Sequence, residues 1–228
     1  MMPAYANKLD ATSTAAASKR LGRSSCGTDP LIFADIYQDN INMTTWQRDL
    51  SQPLKASVRR FLLSRPDFQS NLTVTPQNVS SCLNEAFGSD EYLELVDNIT
   101  ELVEVFCYLL ETSYTGLRLT ALDRAMCPKF HVDRVPCRLV TTYEGIATEW
   151  LSHDVVDRTK LGLGSQGLKD SESGLYQHHE DIQQLDCGDV AILKGETWMN
   201  NENAGLVHRS PSPSTGERRL LLTLDFVA

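Results

Sequence analysis

No stretch of this 228-residue chain approaches the roughly 18 consecutive apolar residues that a membrane-crossing helix needs. The first thirty residues also lack the apolar core of a secretory signal, so a cytoplasmic protein with no membrane partner is expected. Positive charge is in deficit: 21 Lys+Arg against 30 Asp+Glu leave a net charge of −9. That balance argues against a general nucleic-acid binder, because nothing offsets phosphate repulsion. The 6 cysteines form no C-x-x-C pair, which excludes a zinc ribbon and does not resemble a disulfide framework. A Gly-rich phosphate loop is missing too, since G-L-G-S-Q-G at 162–167 neither follows a clear strand nor opens a helix.

The composition is otherwise that of an ordinary globular domain, with 41% apolar and 22% charged residues. Residues 1–30, rich in Ala, Ser and Thr, read as a disordered tail, and 31–228 as a single domain. Within it, 31–115 is mainly helical after an apolar strand from Leu31 to Tyr37. A first helix runs from Ser51 to Ser64, with Ser51 as N-cap, Pro53 in the first turn, and Leu54, Val58, Phe61 and Leu62 on one face. A second begins at Thr75-Pro76 and stops at Gly88. The third carries Tyr92, Leu95, Val96, Ile99, Leu102, Val103, Phe106 and Leu109 at spacings of three and four, a stripe that needs a large partner.

After Gly116 the pattern changes to short β-type segments: GLRLTAL, FHVDRVPCRLVTTY, ATEWL, DIQQL, DVAILKG, LVHRS and RRLLLTLDF. Their number and spacing suggest a sandwich or barrel over 116–228, with the helices as a buttress outside. The polar, Gly/Ser-rich stretch from Leu161 to Glu180 is the longest irregular piece and suits a mobile lid.

Chemistry concentrates in the β part. If FHVDRVPCRLVTTY is one strand, His131 and Asp133 point the same way, together with Val135, Cys137, Leu139, Thr141 and Tyr143. The opposite parity carries Arg134, Pro136 and Arg138 and is expected outside. A carboxylate turned inward costs several kcal/mol unless a cation or a hydrogen-bonding partner meets it. In LVHRS, His208 shares a face with Leu206. In the last strand, alternation groups Arg218 with Leu220, Leu222, Leu224 and Phe226, which makes Arg218, not Arg219, the expected inward guanidinium. A buried guanidinium needs an anion, and its planar fork suits a carboxylate.

His-x-Asp, a distant His, and an Arg about ten residues beyond it together resemble the iron(II)/2-oxoglutarate-dependent oxygenases. The resemblance implies an α+β chain built on a double-stranded β-helix, a jelly-roll or cupin-like fold. It implies iron(II) held by His131, Asp133 and His208, and Arg218 gripping the distal carboxylate of 2-oxoglutarate. Hydroxylation of an unidentified substrate is the expected activity. CPKFHVDRVPCRL, TEWL, GDVAILKGETW, GLVHRSP and GERRLLLTLDF are also similar to a bacterial family known as domain of unknown function 1826. Its association with genes of zinc limitation implies metal homeostasis as a setting, and a non-catalytic zinc-binding protein using the same His/Asp/His set is the alternative.

Other residues are weighed beside these. Tyr143 is a candidate donor to a bound carboxylate or a packed core aromatic. Trp198 and Asn200, with Asn201, sit in the loop before the His208 strand as candidate substrate contacts or simple turn residues. His178-His179-Glu180 reads as a solvated loop, Cys137 as core, and Asp189 as a turn acid.

Overall fold

The computed structural model describes residues 22–226. The expected tail therefore lies outside the described residues up to position 21, and it does not extend to residue 30. Arg23–Gly27 is a strand, β1, that pairs in parallel with β2, Ile41–Trp46. Between them, the stretch expected as a strand forms a 3-10 helix, Pro30–Tyr37. Asp29 caps it by accepting the Leu31 N–H at 2.9 Å, and Pro30 opens it, while Phe33 and Ile36 fall three apart and bury. The apolar residues of this run recur with helical spacing, which the expected strand does not accommodate.

Helix α1, Gln52–Ser64, starts on the Ser51 hydroxyl, which accepts the Leu54 N–H. After β3, Gln69–Val74, comes α2, Val79–Phe87, which closes on Gly88 in the left-handed conformation, φ 59°. This helix begins later than the Thr75-Pro76 signal, because Asn78 Oδ1 first takes the Thr75 N–H in a turn. Helix α3, Leu93–Leu109, buries the expected stripe from Leu95 to Phe106, with Tyr92 buried at its N-cap and Leu109 half-buried at its end.

The remaining strands are β4, Thr115–Leu122; β5, Cys137–Glu144; β6, Glu149–Leu151; β7, Ile182–Gln184; β8, Val190–Lys194; β9, Val207–Arg209; and β10, Arg219–Asp225. They form a seven-stranded sheet in the order β1-β2-β8-β5-β10-β4-β3 and a three-stranded sheet in the order β7-β6-β9. Every pairing except β1 with β2 is antiparallel.

Alternation along β5, β8 and β10 distributes their side chains between two cores. Leu139, Ile192, Leu220, Leu222 and Leu224 pack against the three helices. Val140, Ala191, Leu193 and Leu221 pack toward the small sheet, with Leu206 and Trp150. The large sheet is thus covered on both faces, and neither parity is an outer surface. Behind the small sheet, Leu151 and Val207 meet Phe130 and Leu175 in a third cluster.

Candidate metal centre

The segment FHVDRVP is not the first half of β5. His131 exchanges both backbone hydrogen bonds with His208, each at 3.0 Å, so it extends the small sheet beside β9. The chain then crosses to the large sheet, where β5 begins only at Cys137. Asp133 sits in this crossing. Its carbonyl accepts the Glu196 N–H at 2.8 Å, and the Pro136 carbonyl accepts that of Gly195 at 2.8 Å. A Cβ on Gly195 would stand 2.0 Å from the Val135 carbonyl oxygen, so glycine is what lets the crossing press against the end of β8.

One nitrogen from each imidazole and one oxygen of the Asp133 carboxylate lie within 4.8 Å of one another. The rings are 4.6 Å apart at their centroids. His131 Nδ1 lies 2.9 Å from the Lys129 carbonyl and His208 Nδ1 lies 3.2 Å from that of Leu206. A carbonyl only accepts, so each Nδ1 carries the proton and each Nε2 is left to face Asp133, at 3.7 Å and 3.3 Å. Asp133 Oδ2 is buried and has no hydrogen-bond partner among the described residues. With His208 Nε2 near that oxygen and His131 Nε2 near Oδ1, the three side chains turn their donor atoms toward one another, and a set of two nitrogens and one carboxylate oxygen fits a divalent metal once the rings give up their Nε2 protons.

Arg138 completes the electrostatics. Its Nη1 donates to Asp133 Oδ1 at 2.8 Å, while Nε and Nη2 grip both oxygens of Asp225 at 2.6 and 3.1 Å. Burial of Asp133 favours its neutral form, but His131, His208 and Arg138 outweigh that and hold the carboxyl well below the usual range. Burial lowers the His131 value, yet Asp133 and the Lys129 carbonyl carry it above the ordinary one.

The large-sheet side of the cavity holds Arg219, not Arg218. Arg219 is 0% exposed. Its guanidinium donates to Ser210 Oγ at 2.7 Å, Thr148 Oγ1 at 2.9 Å and Thr142 Oγ1 at 3.2 Å, and no carboxylate among the described residues pairs with it. Burial pushes its pKa down to about 10. The cavity it lines also touches His131, His208, Arg138, Cys127 and Thr223. Arg218 lies on the helix-covered side, where its Nη1 donates to the Pro66 carbonyl and meets Asp67 at 3.2 Å.

The alternation expected for the last strand holds but its faces are reversed: Leu220, Leu222 and Leu224 face the helices, leaving Arg219, Leu221 and Thr223 for the cavity, whereas the expected grouping of His131 and Asp133 with Cys137, Leu139 and Tyr143 fails, because residues 131–136 precede β5. Arg138, expected outside, is inward for the same reason. The apolar stripes of three helices were the available signal, because they demand the more apolar parity of the sheet.

The other candidates fall away from the centre. Tyr143 faces the helices and donates to Asn98 Oδ1 at 3.0 Å. Trp198 packs on Tyr37 and under the Lys194 ammonium, and Asn200 is exposed with a φ of 60°. His178 and His179 are exposed, Cys137 packs on the helix side, and Asp189 closes a turn by accepting the Asp186 N–H.

Among solved structures, the chain is similar to a dioxygenase for auxin oxidation from rice, with a TM-score of 0.50 and 10% identity over 90% of this chain and 82% of that one. It is also similar to a prolyl-4-hydroxylase from Pseudomonas putida, with a TM-score of 0.43 and 12% identity over 86% and 97% of the two chains. A third is SnoN, a non-heme alpha ketoglutarate dependent epimerase from nogalamycin biosynthesis, at 0.44 and 16% over 92% and 82%. The first likeness shows a shared mixed α+β fold with a large sheet. No curated protein matches the sequence. The sequence model of the family described as Protein of unknown function (DUF1826) matches residues 27–225, and the chain belongs to that family.

Proposed function

We propose that this protein is a non-haem iron(II)/2-oxoglutarate-dependent oxygenase that hydroxylates a substrate not yet identified. The observation that carries the reading is Arg219, a fully buried guanidinium that among the described residues hydrogen-bonds only hydroxyls, lining the same cavity as His131 and His208 of the three-residue cluster. Such a cation is stable without a carboxylate only at considerable desolvation cost, and a dicarboxylate cosubstrate would supply the missing anion.

His131, Asp133 and His208 would hold the iron, leaving positions of its coordination sphere open. When bound, the metal supplies the dioxygen activation that couples oxidative decarboxylation of 2-oxoglutarate to substrate oxidation. Arg219 binds the distal carboxylate, with Thr142, Thr148 and Ser210 fixing the plane of its guanidinium. Arg138 holds the Asp133 carboxylate in orientation and keeps it ionised. Val140, Leu193 and Leu221 give the cavity an apolar wall beside the cluster. Soluble residence in the cytoplasm and a small-molecule or protein substrate belong to the same proposal.

The competing reading is a non-catalytic zinc-holding protein. Zinc sites of that kind close with four protein ligands. Among the described residues, Cys127 lines the cavity but does not join the three-donor cluster, which leaves the centre one ligand short. The test is anaerobic titration with iron(II) and then 2-oxoglutarate, followed by the weak visible charge-transfer band of a chelated keto acid. The expected band is lost in Arg219→Ala. No band in the wild type, with zinc retained tightly, would establish the metal-handling reading instead.

A further inference from the structure

Asp170 lies in the long connection between β6 and β7 and is 8% exposed. Its Oδ2 accepts the backbone N–H of Phe130 at 2.8 Å and faces Arg209 Nη1 at 3.5 Å. Phe130 immediately precedes His131, and Arg209 immediately follows His208. One carboxylate on a loop therefore touches both chain segments that present the imidazoles.

The neighbouring contacts reinforce the same junction. The Arg209 guanidinium lies 4.3 Å over the Phe130 ring, and its Nε donates to Glu149 Oε2 at 2.5 Å. Lys129 Nζ donates to the Leu168 carbonyl at 3.1 Å. Leu175 of the same connection is buried against Phe130, Leu151 and Val207. If the loop lifted away, the Phe130 N–H would lose its acceptor and Arg209 one of its two carboxylates. The buried Asp170 charge would need water in its place. The pairing of His131 with His208 would then rest on its two backbone hydrogen bonds, the Arg209–Phe130 stacking and the Ser210 N–H donating to the Cys127 carbonyl at 2.9 Å.

We propose that Asp170 is a positioning residue that clasps the connection between β6 and β7 onto both imidazole-bearing segments, so that metal occupancy and closure of this loop are coupled. The inference rests on the metal-centre reading above and deepens it. Coupling of this kind is reciprocal: a closed loop tightens metal binding, and bound metal holds the loop closed. Because the loop also covers the small sheet, the stretch that follows β6 becomes part of the site although none of its side chains joins the ligand cluster.

The experiment uses the full chain and cobalt(II) as a spectroscopic probe, with tryptic cleavage after Lys169 as the readout of loop closure. The Lys169 side chain is 81% exposed, so cleavage there reports access of the surrounding backbone. In the wild type, cobalt binds with visible ligand-field bands and slows the cleavage. Asp170→Ala weakens cobalt binding by about 10-fold or more and removes the protection. Asp170→Asn, which keeps an acceptor for the Phe130 N–H, restores part of both. Should Asp170→Ala not fold, Lys129→Ala, which cuts only the contact to Leu168, shifts both readouts in the same direction to a smaller extent. Wild-type cobalt binding together with cleavage indifferent to cobalt, or unaltered affinity in Asp170→Ala, overturns the clasp while leaving the metal centre standing. A wild type that binds no cobalt removes the metal centre, and the coupling with it.

Discussion

Arg218 and Arg219 are adjacent in the chain but serve opposite faces of the large sheet: Arg219 is enclosed by Ser210, Thr148 and Thr142, and Arg218 reaches Pro66 and Asp67 beside helix α1. Only Arg219 shares a cavity with His131 and His208. Their substitutions therefore separate cleanly. Arg219→Met should abolish 2-oxoglutarate binding by isothermal titration calorimetry. It should change the stability of the metal-free protein by no more than about 1–2 kcal/mol, because relief of the desolvated charge offsets the three hydrogen bonds lost at Ser210, Thr148 and Thr142. Arg218→Ala should leave 2-oxoglutarate affinity within about twofold and lower stability by no more than about 1 kcal/mol, since its ion pair with Asp67 is largely solvated. The opposite pattern would return the clamp to Arg218.

Much of this was readable in the sequence because the signals were local. Ser51, Pro53 and Gly88 mark helix ends by their own backbone chemistry, and the α3 stripe specifies a buried face whatever lies opposite. His131, Asp133 and His208 were legible as a set through their resemblance to a known site. What could not be read locally was which face of β5 and β10 looks at that site. Alternation divides Leu220 from Arg219, yet only the position of the helical layer says which of them meets the helices. The crossing at 132–136 was hidden for a similar reason, because a jump between sheets leaves the hydrophobic period nearly intact. Asp170 carries no sequence signal at all, since its role comes from contacts some forty residues away in the chain.

Gly195 offers a test of the crossing itself. In Gly195→Ala the new methyl would stand 2.0 Å from the Val135 carbonyl oxygen and 2.8 Å from that of Asp133, so the backbone carrying Asp133 must retreat. Chemical denaturation should show a loss of about 1–3 kcal/mol, the usual range for overpacking. Metal affinity should fall in the same variant, while Gly216→Ala, which meets nothing within 4 Å, should leave affinity as it is. Equal metal binding in both would mean that the crossing does not position Asp133.

Proton competition sets the pH dependence of the centre. His131 titrates above its ordinary value of 6.5: burial opposes the charged ring, but Asp133 and the Lys129 carbonyl overcome it. Its proton therefore stabilises the metal-free fold below the unfolded value, and that contribution is lost as pH rises through the folded one. A metal needs the neutral ring, so affinity runs the other way and should weaken steadily as pH falls from about 8 to about 6. Calorimetry in buffers of different ionisation enthalpy should detect proton release on binding. Binding at pH about 6, where the ring is mostly protonated, without proton release would mean that His131 is not a ligand.

Tyr143 separates packing from chemistry on β5. Its phenol is 1% exposed, burial pushes its pKa up, and its hydroxyl donates to Asn98 Oδ1 on α3. Tyr143→Phe leaves the ring in place and removes one donor, so the expected cost is about 1 kcal/mol, read as a lower midpoint in urea with an unchanged slope. Thr142, one residue earlier, turns to the other face and contacts Arg219. Thr142→Val keeps the shape but takes an acceptor from the buried guanidinium, and it should weaken 2-oxoglutarate binding where Tyr143→Phe does not. If Tyr143→Phe lowered cosubstrate affinity as much as Thr142→Val, the two faces of β5 would not be energetically distinct, and the assignment of the cavity to the Arg138, Val140 and Thr142 side would have to be abandoned.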